Sequence, residues 1–84
     1  MDQRLSKRNY REDVARALEE EKTGLYASAA LSYKKAQHHA TYAGLPDKAQ
    51  FAAARRILCL KCTEDPSWKE LNKKYISLYC NQPS

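Results

Sequence analysis

Between Gly24 and Ala40 the positions Tyr26, Ala29, Ala30, Tyr33, Ala36 and Ala40 recur at intervals of three and four. That spacing lines one face of an α-helix. The face alternates tyrosine rings with small residues instead of carrying a Leu/Ile stripe. Alanines let a neighbouring backbone approach closely, and the rings fill the space beside it. Gly24 stands where a preceding helix should stop, because glycine takes a left-handed C-terminal cap without a Cβ penalty. The pattern predicts two antiparallel helices joined by a tight turn at Lys22-Thr23-Gly24.

Upstream, Asn9 is a good N-cap and Glu12 completes a capping-box pattern. The first helix is expected from Tyr10 to about Lys22, with Tyr10, Val14, Ala17, Leu18 and Glu21 at helical spacing and Glu12–Arg16 as an i,i+4 pair. Residues 1–8 then read as a flexible basic arm. The second helix is expected over Leu25–Tyr42, with Gly44 as its stop. Pro46 suits the first position of a third helix, and Asp47 its positive end. That helix should run to about Lys61, with Phe51, Ala54, Leu58 and Cys62 on one face and Ile57 widening it. Thr63-Glu64-Asp65-Pro66 breaks it. Asp65 as N-cap starts a fourth helix, over which Trp68, Leu71, Tyr75 and Leu78 recur. The expectation is an all-α fold: an antiparallel helical hairpin, a third helix and a C-terminal fourth. Residues 9–80 form one domain, and 81–84 a loose tail.

Length changes the picture little. A chain of 84 residues buries only about 60% of the surface it exposes when unfolded. No apolar run approaches the roughly 20 residues that span a bilayer, and the first eight residues lack the hydrophobic core of a secretory signal. A cytoplasmic protein without membrane contact is expected. Cys59 and Cys62 form a Cys-x-x-Cys, with Cys80 near the end. Zinc prefers four ligands drawn from paired motifs. Here there is a single pair, with His38 or His39 the only further donors in view, so buried or incidental thiols are the expectation and no metal or cofactor is assigned. A redox role would need a βαβ setting that is missing.

The formal net charge is +5. Arg4, Lys7, Arg8 and Arg11 crowd the start against Asp2, and Lys34-Lys35, Arg55-Arg56 and Lys73-Lys74 are scattered doublets. They are either solvated helix faces or, if they converge on one surface, a nucleic-acid footprint. Glu19-Glu20-Glu21 lies against the negative end of the first helix's dipole, either offset by nearby lysines or kept as an acidic spot for a cationic partner. Neither a nucleophile–base set, a Gly-rich phosphate loop nor a carboxylate pair suggests catalysis, so no catalytic residue is assigned.

Two resemblances follow. Tyr26-x-x-Ala29-x-x-x-Tyr33-x-x-Ala36, with Ala17 upstream, resembles the packing helices of a tetratricopeptide repeat. One repeat length of about 34 residues further on stand Thr63, Ser67 and Glu70, which do not fit, so the likeness is to a local hairpin and not to a solenoid. A broader match joins Tyr10-Arg11, Ala15, Ala17-Leu18-Glu19, Gly24-x-Tyr26-x-x-Ala29-Ala30-x-x-Tyr33-x-x-Ala36 and Phe51-Ala52-x-x-Arg55-x-x-Leu58-Cys59. Together these resemble the ANR family, small bacterial negative regulators of AraC-type transcription activators. That resemblance implies a non-enzymatic protein that binds such an activator and blocks its dimerisation or DNA binding. The PerC-like regulators, which activate, share the acid-rich helix followed by Gly-x-Tyr/Trp.

Six tyrosines and one tryptophan exceed what so small a core hides, and Tyr, Trp and Arg dominate binding surfaces. The candidate binding residues are Arg8, Arg11, Arg55, Arg56, Tyr42 and Trp68, with Tyr75 and Tyr79 as further candidates for an exposed aromatic patch. Such a patch would also suit a homodimer. The alternative is a small basic nucleic-acid binder in which Arg4, Lys7, Arg8 and Arg11 act beside Arg55-Arg56, with strongly salt-dependent affinity.

Overall fold

The computed structural model describes the backbone of residues 3–80 and the side chains of residues 4–74. Four helices follow one another, α1 (Gln3–Lys22), α2 (Tyr26–Tyr42), α3 (Pro46–Glu64) and α4 (Pro66–Cys80), and the described residues contain no strand. The fold is all-α, as the periodicity predicts.

Both interhelix turns after α1 and α2 are built the same way. Gly24 has φ 82° and Gly44 φ 72°, so each helix ends on a residue in the left-handed region. Leu25 N–H donates to the Glu20 carbonyl at 2.8 Å and Gly24 N–H to Glu21 at 3.1 Å; Leu45 N–H donates to Ala40 at 2.9 Å and Gly44 N–H to Thr41 at 3.1 Å. These are paired Schellman bonds, which satisfy the last helical carbonyls and reverse the chain at once. The α3–α4 junction is shorter still. Asp65 closes α3 and its Oδ1 accepts from Ser67 N–H at 3.0 Å, so one residue ends one helix and caps the next.

Tyr26, Ala29, Ala30, Tyr33, Ala36 and Ala40 are all buried, Tyr33 completely. The alanines bring both α1 and α3 against α2, each antiparallel to it. Glu20 meets Ser32 and Asp13 meets His39, while the Tyr33 ring stands edge-on to Phe51, with centroids 6.5 Å apart and planes at 82°. Such an aromatic pair adds about 0.5–1.5 kcal/mol beyond its buried area. The first and third helices therefore run parallel over a shared α2 and touch each other little.

Four expectations change. The first helix begins at Gln3, so residues 3–8 belong to it and Asn9 is interior. Gln3, Arg4, Leu5, Lys7 and Arg8 are good helix formers, Ser6 is buried on the same face as Tyr10, and a local cap worth about 1 kcal/mol does not end a helix with that support. Glu12 pairs with Arg8 at 3.3 Å and Arg16 with Asp13 at 3.4 Å, in place of a Glu12–Arg16 bridge. The buried face of α3 is Ala52, Arg55, Cys59 and Cys62, while Ala54 and Ile57 are exposed. That stripe is turned from the expected one by roughly 75° at 100° per residue, because Arg55 points inward. Along α4, Trp68 packs on the core but Leu71 is exposed, and Asn72 takes the buried position. The side chains of Tyr75, Leu78, Tyr79 and Cys80 lie outside the described residues, as does the 81–84 tail. Among the described residues no helix is long and apolar enough to cross a membrane.

Candidate binding groove

Because α1 and α3 both lean on α2, their facing sides leave a trough at the start of α3. It has a volume of about 520 Å³ and is lined by Tyr10, Val14 and Leu18, by Arg11 and Ala15, and by Asp47, Lys48 and Phe51. Helical spacing explains the set. Tyr10, Val14 and Leu18 stand at i, i+4 and i+8 on α1, Tyr10 buried and the other two half-buried at the edge of the core, and Arg11 and Ala15 form the neighbouring ridge. A smaller hollow of about 250 Å³ shares Tyr10, Arg11 and Lys48 and adds Lys7 and Leu45. The floor is apolar and aromatic, and the rim is cationic at one end, with Lys7, Arg11 and Lys48 against Asp47 alone. Lys48 Nζ lies 5.6 Å from the centre of the Tyr10 ring, which holds that charge over the floor.

The six binding residues expected from sequence do not form one surface. Arg11 lines the trough. Arg8 is exposed one turn away and pairs with Glu12, a solvent-screened contact of little energetic weight. Arg55 is buried, and Arg56 stands about 140° round α3 from Phe51, on the other flank. The doublet is thus split between interior and surface and cannot act as one cationic patch. Tyr42 is 65% exposed at the end of α2. Trp68 is half-buried on α4, with Lys61 Nζ 4.7 Å from its ring centre. Lys7 and Lys48 join Arg11 across two helices. Only the parallel setting of α1 and α3 brings them together, and spacing along one segment does not signal it.

Arg55 instead knits three helices together. Its Nη2 donates to Glu21 Oε2 on α1 and, at 2.9 Å, to Asn72 Oδ1 on α4, while Asn72 Nδ2 donates to the same Glu21 oxygen at 2.7 Å. The Arg55 and Glu21 side chains are 4% and 0% exposed. Burial works against the guanidinium charge, but Glu21 and the Tyr33 hydroxyl together more than offset it and raise the Arg55 pKa. The Tyr33 hydroxyl lies beside both groups without a hydrogen bond of good geometry. Burial, reinforced by Glu21, pushes the Tyr33 phenol and the Cys59 and Cys62 thiols above their ordinary values, so both buried thiols stay protonated at neutral pH.

The rest of the acidic run is also used within the fold. Glu20 Oε1 accepts from Ser32 Oγ at 2.6 Å, and Glu19 pairs with Lys22 at 3.6 Å. His39 Nδ1 is 2.8 Å from Oδ2 of the buried Asp13, a second polar tie between α1 and α2. Among the described residues no three His, Cys, Asp or Glu side chains are placed to share a metal ion. Against protein-family models, curated proteins and solved structures alike, the chain has no match.

Proposed function

We propose that this chain is a non-enzymatic transcriptional regulator that binds an AraC-type transcription activator and blocks its dimerisation or its DNA binding. The observation that carries the binding role is the trough between α1 and α3, whose aromatic floor and cationic rim combine the residue types that supply energy and orientation at protein interfaces. The partner class comes from the resemblance to ANR-type regulators along Tyr10–Cys59. The test mixes the purified chain with AraC-type activators and follows mass by light scattering and operator binding by gel shift. A mixed complex with loss of the activator's DNA band is the expected result. No complex with any such activator would refute the partner assignment.

A second reading rests on one observation: Arg4, Lys7, Arg8 and Arg11 are all exposed and stand at i, i+3, i+4 and i+7 on α1. A nucleic acid meeting these four cations would lose about two orders of magnitude in affinity between roughly 50 and 200 mM salt. Arg55 and Arg56 do not extend the stripe, which makes this the weaker reading. A salt-sensitive gel shift with the chain alone would favour it.

A further inference from the structure

We infer that the α1–α3 trough receives an amphipathic α-helix with carboxylates along one flank. This rests on the trough being a protein-binding site, and not on the partner being an AraC-type activator.

Shape argues for a helix. The trough walls are themselves helices, whose backbone donors and acceptors are consumed internally, so an extended peptide finds no sheet edge to pair with. The floor residues Tyr10, Val14 and Leu18 extend over about 12 Å of α1. An incoming helix with apolar residues at i, i+3 or i+4, and i+7 presents a ridge of about 10.5 Å, which fits that length. Charge selects the flank. Lys7, Arg11 and Lys48 gather at the Tyr10 end, and Asp47 is the one carboxylate among the lining residues. Carboxylates there are attracted and lysines repelled, which fixes the register of the incoming ridge. A second copy of this chain is a poor occupant. Its exposed α2 face carries Lys34 and Lys35 with no carboxylate on that helix, and its α4 carries Lys69, Lys73 and Lys74 against Glu70, already paired with Lys73, so both would set more cation than acid against the rim.

The test uses two fluorescently labelled synthetic helices of about 14 residues, or four turns. They share one leucine ridge and differ only in having glutamate or lysine along the flank. Anisotropy is read with the full chain, with R11E/K48E, and with A15E, which sets a carboxylate into the trough wall. All three substituted positions are exposed, and circular dichroism checks that each variant folds. The glutamate helix should bind the unaltered chain better than the lysine helix. R11E/K48E should weaken the glutamate helix on the order of tenfold and reverse the preference, and A15E should weaken it too. Equal binding of the two helices, binding of neither, or binding indifferent to all three substitutions would overturn the inference. If an AraC-type activator binds the chain but ignores these substitutions, the trough is the wrong site while the regulator reading stands. If the glutamate helix binds as described and no activator does, the trough stands and the partner assignment falls.

Discussion

Replacing Arg55 by Met should be the most damaging single change in the protein. It leaves the Glu21 carboxylate in a position where its side chain is 0% exposed, with the Asn72 amide as its remaining hydrogen-bond donor at 2.7 Å. Breaking a buried pair by removing one partner costs about 3–5 kcal/mol, because the other charge is stranded away from water. No discount for solvent screening applies at such burial. A chain of 84 residues has a total stability of only about 4–13 kcal/mol at 0.05–0.15 kcal/mol per residue. R55M therefore removes roughly a quarter of it or more, and about 3 kcal/mol lowers Tm by at least ~12 °C in a domain this small.

The companion variants separate the penalty of a stranded charge from the value of the pair. E21M/R55M removes both charges and should recover most of the loss, since buried pairs exchange for apolar residues of similar volume at little net cost. What remains is the Asn72 amide deprived of its partners, worth about 1–3 kcal/mol, and adding N72L should remove that as well. Urea denaturation followed by far-UV circular dichroism measures these proteins together with the single variant E21M. A cost for R55M below about 1 kcal/mol, or a double variant whose loss equals the sum of the two singles, would refute the view that Glu21, Arg55 and Asn72 act as one buried unit.

Gly24→Ala and Gly44→Ala should each cost about 1–2 kcal/mol, read by thermal melting; a Cβ at either position meets nothing within 4 Å, so backbone conformation accounts for the whole effect and a change under a few tenths would count against it. The Tyr33 phenol has a folded pKa above its ordinary 10.0, so its contribution is complete below about pH 10 and is lost as pH rises, when the unfolded chain releases a proton that the native state retains. Stability should therefore fall on the alkaline side, and Y33F should make that fall shallower by about 1.4 kcal/mol per pH unit in urea titrations at stepped pH; an unchanged slope would show that the phenol ionises freely in the fold. In a Cys80→Ser background, Cys59 and Cys62 should react with iodoacetamide far more slowly in native protein than in urea, as mass spectrometry would show, and equal rates would contradict their burial.

How much of this was legible beforehand depends on which residues broke the polar-outside rule. The α2 face from Tyr26 to Ala40, both glycine turns and the Asp65-Pro66 junction follow from spacing and turn chemistry, and each stands where those rules put it. Helix α3 did not, because an arginine read as surface belongs to its core face. With Arg55 taken as polar, the stripe shifts to Phe51-Ala54-Leu58. With it turned inward, Ala52-Arg55-Cys59-Cys62 is as regular as the face of α2. The run of acids at the end of α1 held the missing half of that clue. A carboxylate at Glu21, in step with Tyr10, Val14 and Ala17, sits on the apolar stripe and asks for a buried partner. On α4 the same error recurs in reverse, since Leu71 looks like core and Asn72 is. The groove was less legible still, because Lys7, Arg11, Lys48 and Phe51 come together only through a third helix lying beneath the two that carry them.

The interior ion pair and the open trough are two ends of one arrangement. Small side chains on α2 draw α1 and α3 towards a common line, but alanines fix distance and say nothing about how far apart two riders on the same helix must stand. At the Glu21 end that spacing is set by chemistry: one guanidinium has to reach a carboxylate on α1 and an amide on α4 together, and burial makes any longer reach expensive. Near Tyr10 the link across the helices is of another kind, the Lys48 ammonium set 5.6 Å from the ring centre. There Val14, Leu18 and Phe51 are half-buried and line the trough beside the buried Tyr10. The trough lies toward the start of α3, away from the Glu21–Arg55 tie. Its apolar lining is thus the unfinished continuation of the core, which is the kind of surface that gains most from a helix supplied by another molecule.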